Sequence, residues 1–268
     1  MSTRVLDTMF RQLDRLRHEP TAKRIRATFG DEAVVDTTRA VLVWEPSRIV
    51  PSYAVPVEDV AGEFVAANGG SDDADGTPVL SPAIPFAVHT AEGEVVDLRV
   101  GDETREGVGL RLADPDLNNY VILDFAGFDK WYEEDERNFG HARDPFHRID
   151  ILHSSRHVQV ELDGEILAET TRPRLLFETS LPMRVYMPRE DVRVELRPTS
   201  KRSYCAYKGH ASYWSLDVAG VERENLVWSY EEPLREAAEI TGLVSFFNEK
   251  VDVVVDGERS ERPRTEWS

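Results

Sequence analysis

Residues 158–178, "VQVELDGEILAETTRPRLLFE", decide the fold because they occur twice. The stretch 25–45, "IRATFGDEAVVDTTRAVLVWE", runs beside them at one constant spacing, with Glu32/Glu165, Thr38/Thr171, Arg39/Arg172 and Glu45/Glu178 identical and the apolar positions in step. Alternation with a period of two is the pattern of a half-buried strand, and Asp163-Gly164 is a tight hairpin signal. Each occurrence therefore predicts a hairpin followed by a third strand. Self-similarity of this length makes the chain two copies of one unit.

The likeness continues outward. After one dropped residue, "YAVPVEDV" (53–60) meets "YMPREDV" (186–192), pairing Tyr53/Tyr186, Pro56/Pro188 and Asp59/Asp191. Phe86/Tyr204, Leu98/Leu216, Val100/Val218, Arg105/Arg223 and Pro115/Pro233 align next. The first copy is longer around "AANGGSDDADGTP" (66–78), whose glycines and acids read as a solvated loop. A last segment sets "GFDKWYEE" (127–134) beside "GLVSFFNE" (242–249). Ahead of both copies, Val5, Leu6, Met9, Phe10, Leu13 and Leu16 recur at helical spacing and Pro20 closes the run. The expected organisation is an N-terminal amphipathic helix (1–19), a first β copy (20–150), a second β copy (151–256) and a charged tail (257–268). Within a copy only "PLREAAEI" (233–240) looks helical, with proline leading good helix formers.

The second copy carries "ETTRPRLLFE", "YMPREDV", "YCAYKGHASYWSL", "LVWSYEEPLREAAEITGLVSFF" and a terminal "VDVVVDGE". In order and spacing these resemble the family called domain of unknown function 427, which also carries a nucleotidyltransferase-like label. The first copy resembles it through its early strands and "FDKWYEED". The resemblance implies a mainly β fold: two tandem copies of a small, bent, antiparallel two-sheet domain of the Mss4-like or β-tent kind. Relatives in that broad group use the cleft between sheets for zinc, for methionine sulfoxide reduction or for a small cyclic ligand. Fold does not carry function. One cysteine leaves no zinc-binding cysteine pairs and no internal resolving thiol. The transferase label finds no support, since no Walker-type loop occurs and "GGSDDAD" (69–75) leads into neither strand nor helix.

Composition narrows the function classes. Fifty acidic against 32 basic residues give a net charge of −18, so nucleic acid and anionic membrane are poor partners. No stretch approaches a membrane span, the N-terminus lacks a signal-peptide core, and the expected location is the cytoplasm.

The candidate chemistry lies in "SYCAYKGHASYW" (203–214), which holds Cys205, the only cysteine, and Lys208, one of five lysines. Either could serve covalent or acid/base catalysis, as thiolate or as imine-forming amine. On a continuous strand the two side chains would point to opposite faces, and a buried cysteine is usually a small hydrophobe. The first copy offers a control: Ala87 stands for Cys205, Thr90 for Lys208, Val95 for Tyr213, Leu110 for Trp228 and Leu112 for Tyr230. That asymmetry predicts a ligand site in the second copy lined by Lys208, Tyr213, Trp228 and Tyr230. Arg184 and Tyr186 are added as anion grip and stacking ring, against a bland alternative of surface ion pair and core ring. His141, His147, His153 and His157 crowd the junction without ligand spacing, His89 and His210 stand near the cleft, and neither metal nor cofactor is expected. The leading expectation is a small-molecule binder. An enzyme using Cys205 or Lys208, and a protein-interaction scaffold, are the alternatives.

Overall fold

The computed structural model describes residues 2–67, 79–265 and 268, so the "GGSDDAD" loop lies outside the described residues. The chain divides into two compact units, Met1–Asp144 and Pro145–Ser268. Each holds a seven-stranded and a four-stranded antiparallel sheet. In the first unit the large sheet runs, edge to edge, Arg17–Pro20, Val41–Trp44, Ser52–Pro56, Tyr120–Leu123, Glu103–Leu112, Gly93–Val100 and Glu63–Ala66. In the second it runs Ile149–His153, Arg174–Glu178, Arg184–Met187, Val244–Phe246, Val221–Ser229, Gly209–Val218 and Arg197–Cys205. The strands follow one another through the chain identically in the two units. The duplication read from the sequence is thus a duplication of the whole fold. Among the described residues no helix is long and apolar enough to cross a membrane.

The quoted repeat forms the hairpin of each small sheet. Leu162 pairs with Glu165, leaving Asp163 and Gly164 as a two-residue turn at φ +53° and +84°. A left-handed pair matches the twist of the flanking strands, which is why Asp-Gly occupies it. A Cβ at Gly164 would meet nothing within 4 Å. Gly164→Ala is therefore expected to cost roughly 1 kcal/mol from backbone conformation alone, measurable by urea denaturation. The same bulges recur in both units: the register shifts between Ala27 and Thr28 as between Val160 and Glu161, and between Val96 and Leu98 as between Trp214 and Leu216.

The main core of each unit lies between its sheets. In the second, Val158, Val160, Leu175, Val185, Met187, Leu216 and Val253 meet there. A second apolar layer covers the other face of each large sheet. In the first unit it is aliphatic, with Val41, Val43, Ala54, Leu110, Leu112, Leu117 and Ile122. In the second it is largely aromatic.

Three sequence expectations shift. The helix spans only Val5–Phe10, and Arg17–Pro20 pairs instead with Val41–Trp44, because there the chain gains a ladder of backbone hydrogen bonds. "PLREAAEI" forms a 3₁₀ segment, Arg235–Ile240, broken at Ala237. The last alignment is displaced by a strand: Val244–Phe246 corresponds to Tyr120–Leu123, and Asp252–Val255 corresponds to Lys130–Glu133, since Val253 faces Val160 as Trp131 faces Ala27. The aromatics of "FDKWYEE" and "LVSFFNE" belong to different sheets that fill the same kind of core.

Candidate functional site

Strand register identifies which residues of the two copies truly correspond. Tyr213 pairs with Trp228 and Trp228 with Ser245, where the first unit pairs Val95 with Leu110 and Leu110 with Ile122. Tyr186 also pairs with Ser245, and its counterpart facing Ile122 is Ala54. Tyr53 and Tyr186, aligned by sequence, are therefore one register position apart and point to opposite faces of their sheets. Tyr53 lies in the intersheet core, stacked on Trp131 at 5.0 Å. Tyr186 lies on the outer face of the second unit. The two tyrosines are therefore not one position kept in both copies, but each is a buried ring, Tyr53 between the sheets and Tyr186 on the outer face of its large sheet.

The second unit's outer face brings together Tyr186, Tyr213, Trp228 and Tyr230, with Cys205 and Phe247 packed against them. Trp228 donates its Nε1–H to the Tyr186 hydroxyl at 3.0 Å, and its ring lies 4.5 Å from that of Phe247. The Tyr213 hydroxyl bonds Ser203 Oγ at 2.6 Å, and the Lys201 ammonium sits 4.6 Å over the Tyr213 ring. Tyr186 is 1 % exposed and Trp228 7 %, so these rings form a packed floor. Ala237 and Ile240 of the 3₁₀ segment pack on it as a cover.

At the edge of this floor sits a charged cluster. Cys205 ends its strand opposite Gly209, and Ala206–Tyr207–Lys208 form the connecting turn. Strand alternation stops at Cys205, so the expected separation of Cys205 from Lys208 does not hold. Gly209 takes φ +96°, and a Cβ there would approach Leu234 N at 3.3 Å. The Leu234 N–H donates to the Lys208 carbonyl at 3.1 Å, tying the turn to the covering segment. Lys208, 8 % exposed, donates to both carboxylate oxygens of Glu178 at 2.6 Å each. Glu178 Oε1 also meets His147 Nε2 at 2.9 Å, and His147 stacks on Tyr207 with centroids 4.2 Å apart.

The electrostatics follow from these contacts. Burial alone would raise the Glu178 carboxyl, but His147 and Lys208 outweigh it and set the group at about 2. Burial alone would lower Lys208, but neighbouring Cys205 and Glu178 hold it above its ordinary value. An amine held as ammonium does not form imines, so the imine-forming role weighed for Lys208 loses its footing. Tyr230 lies well above the ordinary phenol range through burial first, with Tyr186, Cys205 and Glu178 adding to it. Tyr186 is raised likewise, chiefly by burial. Both phenols stay protonated.

Arg184 shares this face. Its guanidinium donates to both oxygens of Glu249, at 2.7 and 2.6 Å, and to Asn248, and lies 5.5 Å over the Trp228 ring. This is a buried pair rather than a surface one, and Glu249 takes up the charge that an anion grip would use. The junction histidines scatter: His147 goes to Glu178, His153 to Glu239 at 3.5 Å, His157 to Glu169 at 2.6 Å, and His141 to the carbonyl of Ala142. Among the described residues no group of three or more His, Cys, Asp or Glu side chains could hold a metal ion. His210 is exposed, edge-on to Tyr204.

Glu178 is the member of the cluster that site reasoning from sequence passes over, and His147 stands there only among the junction histidines. One signal was available, the identity of Glu45 and Glu178 across the repeat. Glu45 is buried too, but there it accepts the backbone N–H groups of Thr90 and Ala91 at 2.9 and 3.1 Å and contacts His89 Nδ1 at 3.1 Å. The glutamate anchors the same loop in both copies. Only the second copy answers it with a lysine beside a thiol.

The family described as domain of unknown function 427 (DUF427) matches residues 17–74 and 150–257. The chain belongs to this family. The matched segments begin at or within one residue of the start of the edge strands Arg17–Pro20 and Ile149–His153, so each match opens on one structural copy. The second match, 150–257, includes the aromatic face and the Glu178–Lys208 pair. The first stops at residue 74, before the strands of its copy that carry Leu110 and Leu112. No curated protein matches the chain.

Proposed function

We propose that the second copy binds a small, flat organic molecule on its outer sheet face, entering past the partly exposed Cys205 and closed over by residues 231–243. The observation that carries this is the register comparison. At three register-equivalent positions the fold accepts Ala54, Val95 and Leu110, and two residues along in the sequence it accepts Leu112, yet the second copy has Tyr186, Tyr213, Trp228 and Tyr230. Packing alone does not call for three phenols and an indole on one face. Aromatic walls with a few convergent polar groups are the usual make-up of a small-molecule site. The connection between the strands ending at Ser229 and beginning at Val244 is also longer than its counterpart between Leu112 and Tyr120, and the extra length supplies the cover.

The test transplants the first copy's residues. Native mass spectrometry of freshly purified protein and a thermal-shift screen identify a ligand. The triple substitution Tyr186→Ala, Trp228→Leu, Tyr230→Leu is expected to remove the co-purifying mass or weaken binding at least about tenfold, the loss of two or three good ring contacts. Undiminished binding in a folded triple variant would remove the site.

A further inference from the structure

We infer that the molecule bound on this face is an aromatic carboxylic acid, lying across the strands with its carboxylate on the guanidinium of Arg174. The inference deepens the binding function proposed above and rests on it.

Strand register sets one continuous row of side chains across the second unit's large sheet. His153 pairs with Arg174, Arg174 with Tyr186, Tyr186 with Ser245, Ser245 with Trp228 and Trp228 with Tyr213. Directly paired residues share a face, so the whole row lies on the outer side with Tyr186 and Trp228. The same row in the first unit reads Pro20, Val41, Ala54, Ile122, Leu110, Val95. There it is apolar from end to end, and Val41, Ala54, Ile122 and Leu110 are all buried. The fold itself therefore asks for no polar group anywhere along it.

Two polar members of the second unit's row have no partner among the described residues. Ser245, where the first copy has Ile122, is 0 % exposed, and its Oγ makes no hydrogen bond. Arg174, where the first copy has Val41, has a buried Nε that is equally unbonded, and no described carboxylate pairs with its guanidinium. A buried polar group left unsatisfied costs about 1–3 kcal/mol, so these groups are made for a partner from outside the chain. Arg184 on the same face is already neutralised by Glu249, and Glu239 of the cover is taken by His153. A guanidinium offers parallel N–H donors that match a carboxylate. Strands lie about 4.8 Å apart, so along the row Tyr186 is about 5 Å and Trp228 about 14 Å from Arg174. The arginine side chain covers part of that span, and a fused bicyclic ring bearing one carboxylate covers the rest. The net charge of −18 disfavours a polyanion.

The probes are 2-naphthoate and its uncharged isostere 2-naphthamide, titrated into the full chain by calorimetry. Naphthoate should bind at least about tenfold tighter, the worth of a charge-assisted hydrogen bond. Arg174→Val, which installs the first copy's residue, should erase that preference and leave the affinity for naphthamide unchanged. Arg174→Lys keeps the charge without the paired donors and should lie between the two. If naphthamide binds wild type as tightly as naphthoate, or if folded Arg174→Val keeps the preference, the carboxylate assignment is overturned and the binding function stands. If neither probe binds although the purified protein carries a mass that the triple aromatic variant loses, the ligand class is wrong and the face is still the site. If neither binds and no such mass is found, both proposals are rejected.

Discussion

Replacing Glu178 by leucine is expected to destabilise the protein by about 3–5 kcal/mol, because it leaves the Lys208 ammonium buried without its partner. Lys208→Met alone should cost a similar amount by stranding the carboxylate. The double substitution should recover most of the loss, since two apolar side chains of similar volume carry no desolvation penalty. A double-mutant cycle by urea denaturation measures this, and single-variant costs within about 1 kcal/mol of the double would contradict it. The pair also sets a pH dependence. Glu178 is depressed from 4.5 to about 2, so its contribution, of the order of 3 kcal/mol, is complete above pH 4.5 and is lost as the pH falls toward 2. Lys208 has the opposite sign. Its value is raised above 10.5, so its contribution is present below that pH and disappears as the pH rises through the raised value. In the double variant both limbs should flatten in a plot of midpoint against pH. His147, Cys205, Tyr186 and Tyr230 face the pair and are left in place by these substitutions.

Trp228→Ala is expected to cost about 3–5 kcal/mol, as for other large-to-small changes in a packed layer. The substitution removes the ring that meets Phe247 at 4.5 Å, the cation contact with Arg184 and the N–H bonded to the Tyr186 hydroxyl. Trp228→Leu should cost clearly less, because the register-equivalent Leu110 shows that the fold packs a leucine there. Chemical denaturation of the two variants separates them, and equal losses would mean that the position has no tolerance for the aliphatic packing of the first copy. The order matters for the proposed function: a leucine variant that is folded and no longer binds assigns the indole to the ligand rather than to the core.

The duplication was legible in the sequence because both copies keep a period-two pattern and an ordered set of turn residues, and these depend only on neighbours along the chain. Tyr53 and Tyr186 show where that reasoning stops. They align in sequence, but the connections leading into their strands differ in length, and a slip of one residue turns a side chain through the sheet. The N-terminal segment shows the same limit. Val5 to Leu16 carry a helical period throughout, yet pairing with Val41–Trp44 draws Arg17–Pro20 into a sheet and Leu16 onto the outer apolar layer, and the helix ends at Phe10.

The sequence by itself determined a two-copy, mainly β protein of the DUF427 family, and it marked Cys205, Lys208, Tyr213, Trp228 and Tyr230 as what distinguishes the second copy. Which of these touch was decided by the tertiary structure. Glu178 is 30 residues from Lys208 and reaches it only because strands far apart in the chain meet in one sheet. Cys205 and Lys208 come together because the strand ends between them. Hydrophobic periodicity is a property of the local backbone, whereas the meeting of buried charges depends on loop lengths, register and turns, which only the folded chain brings into agreement.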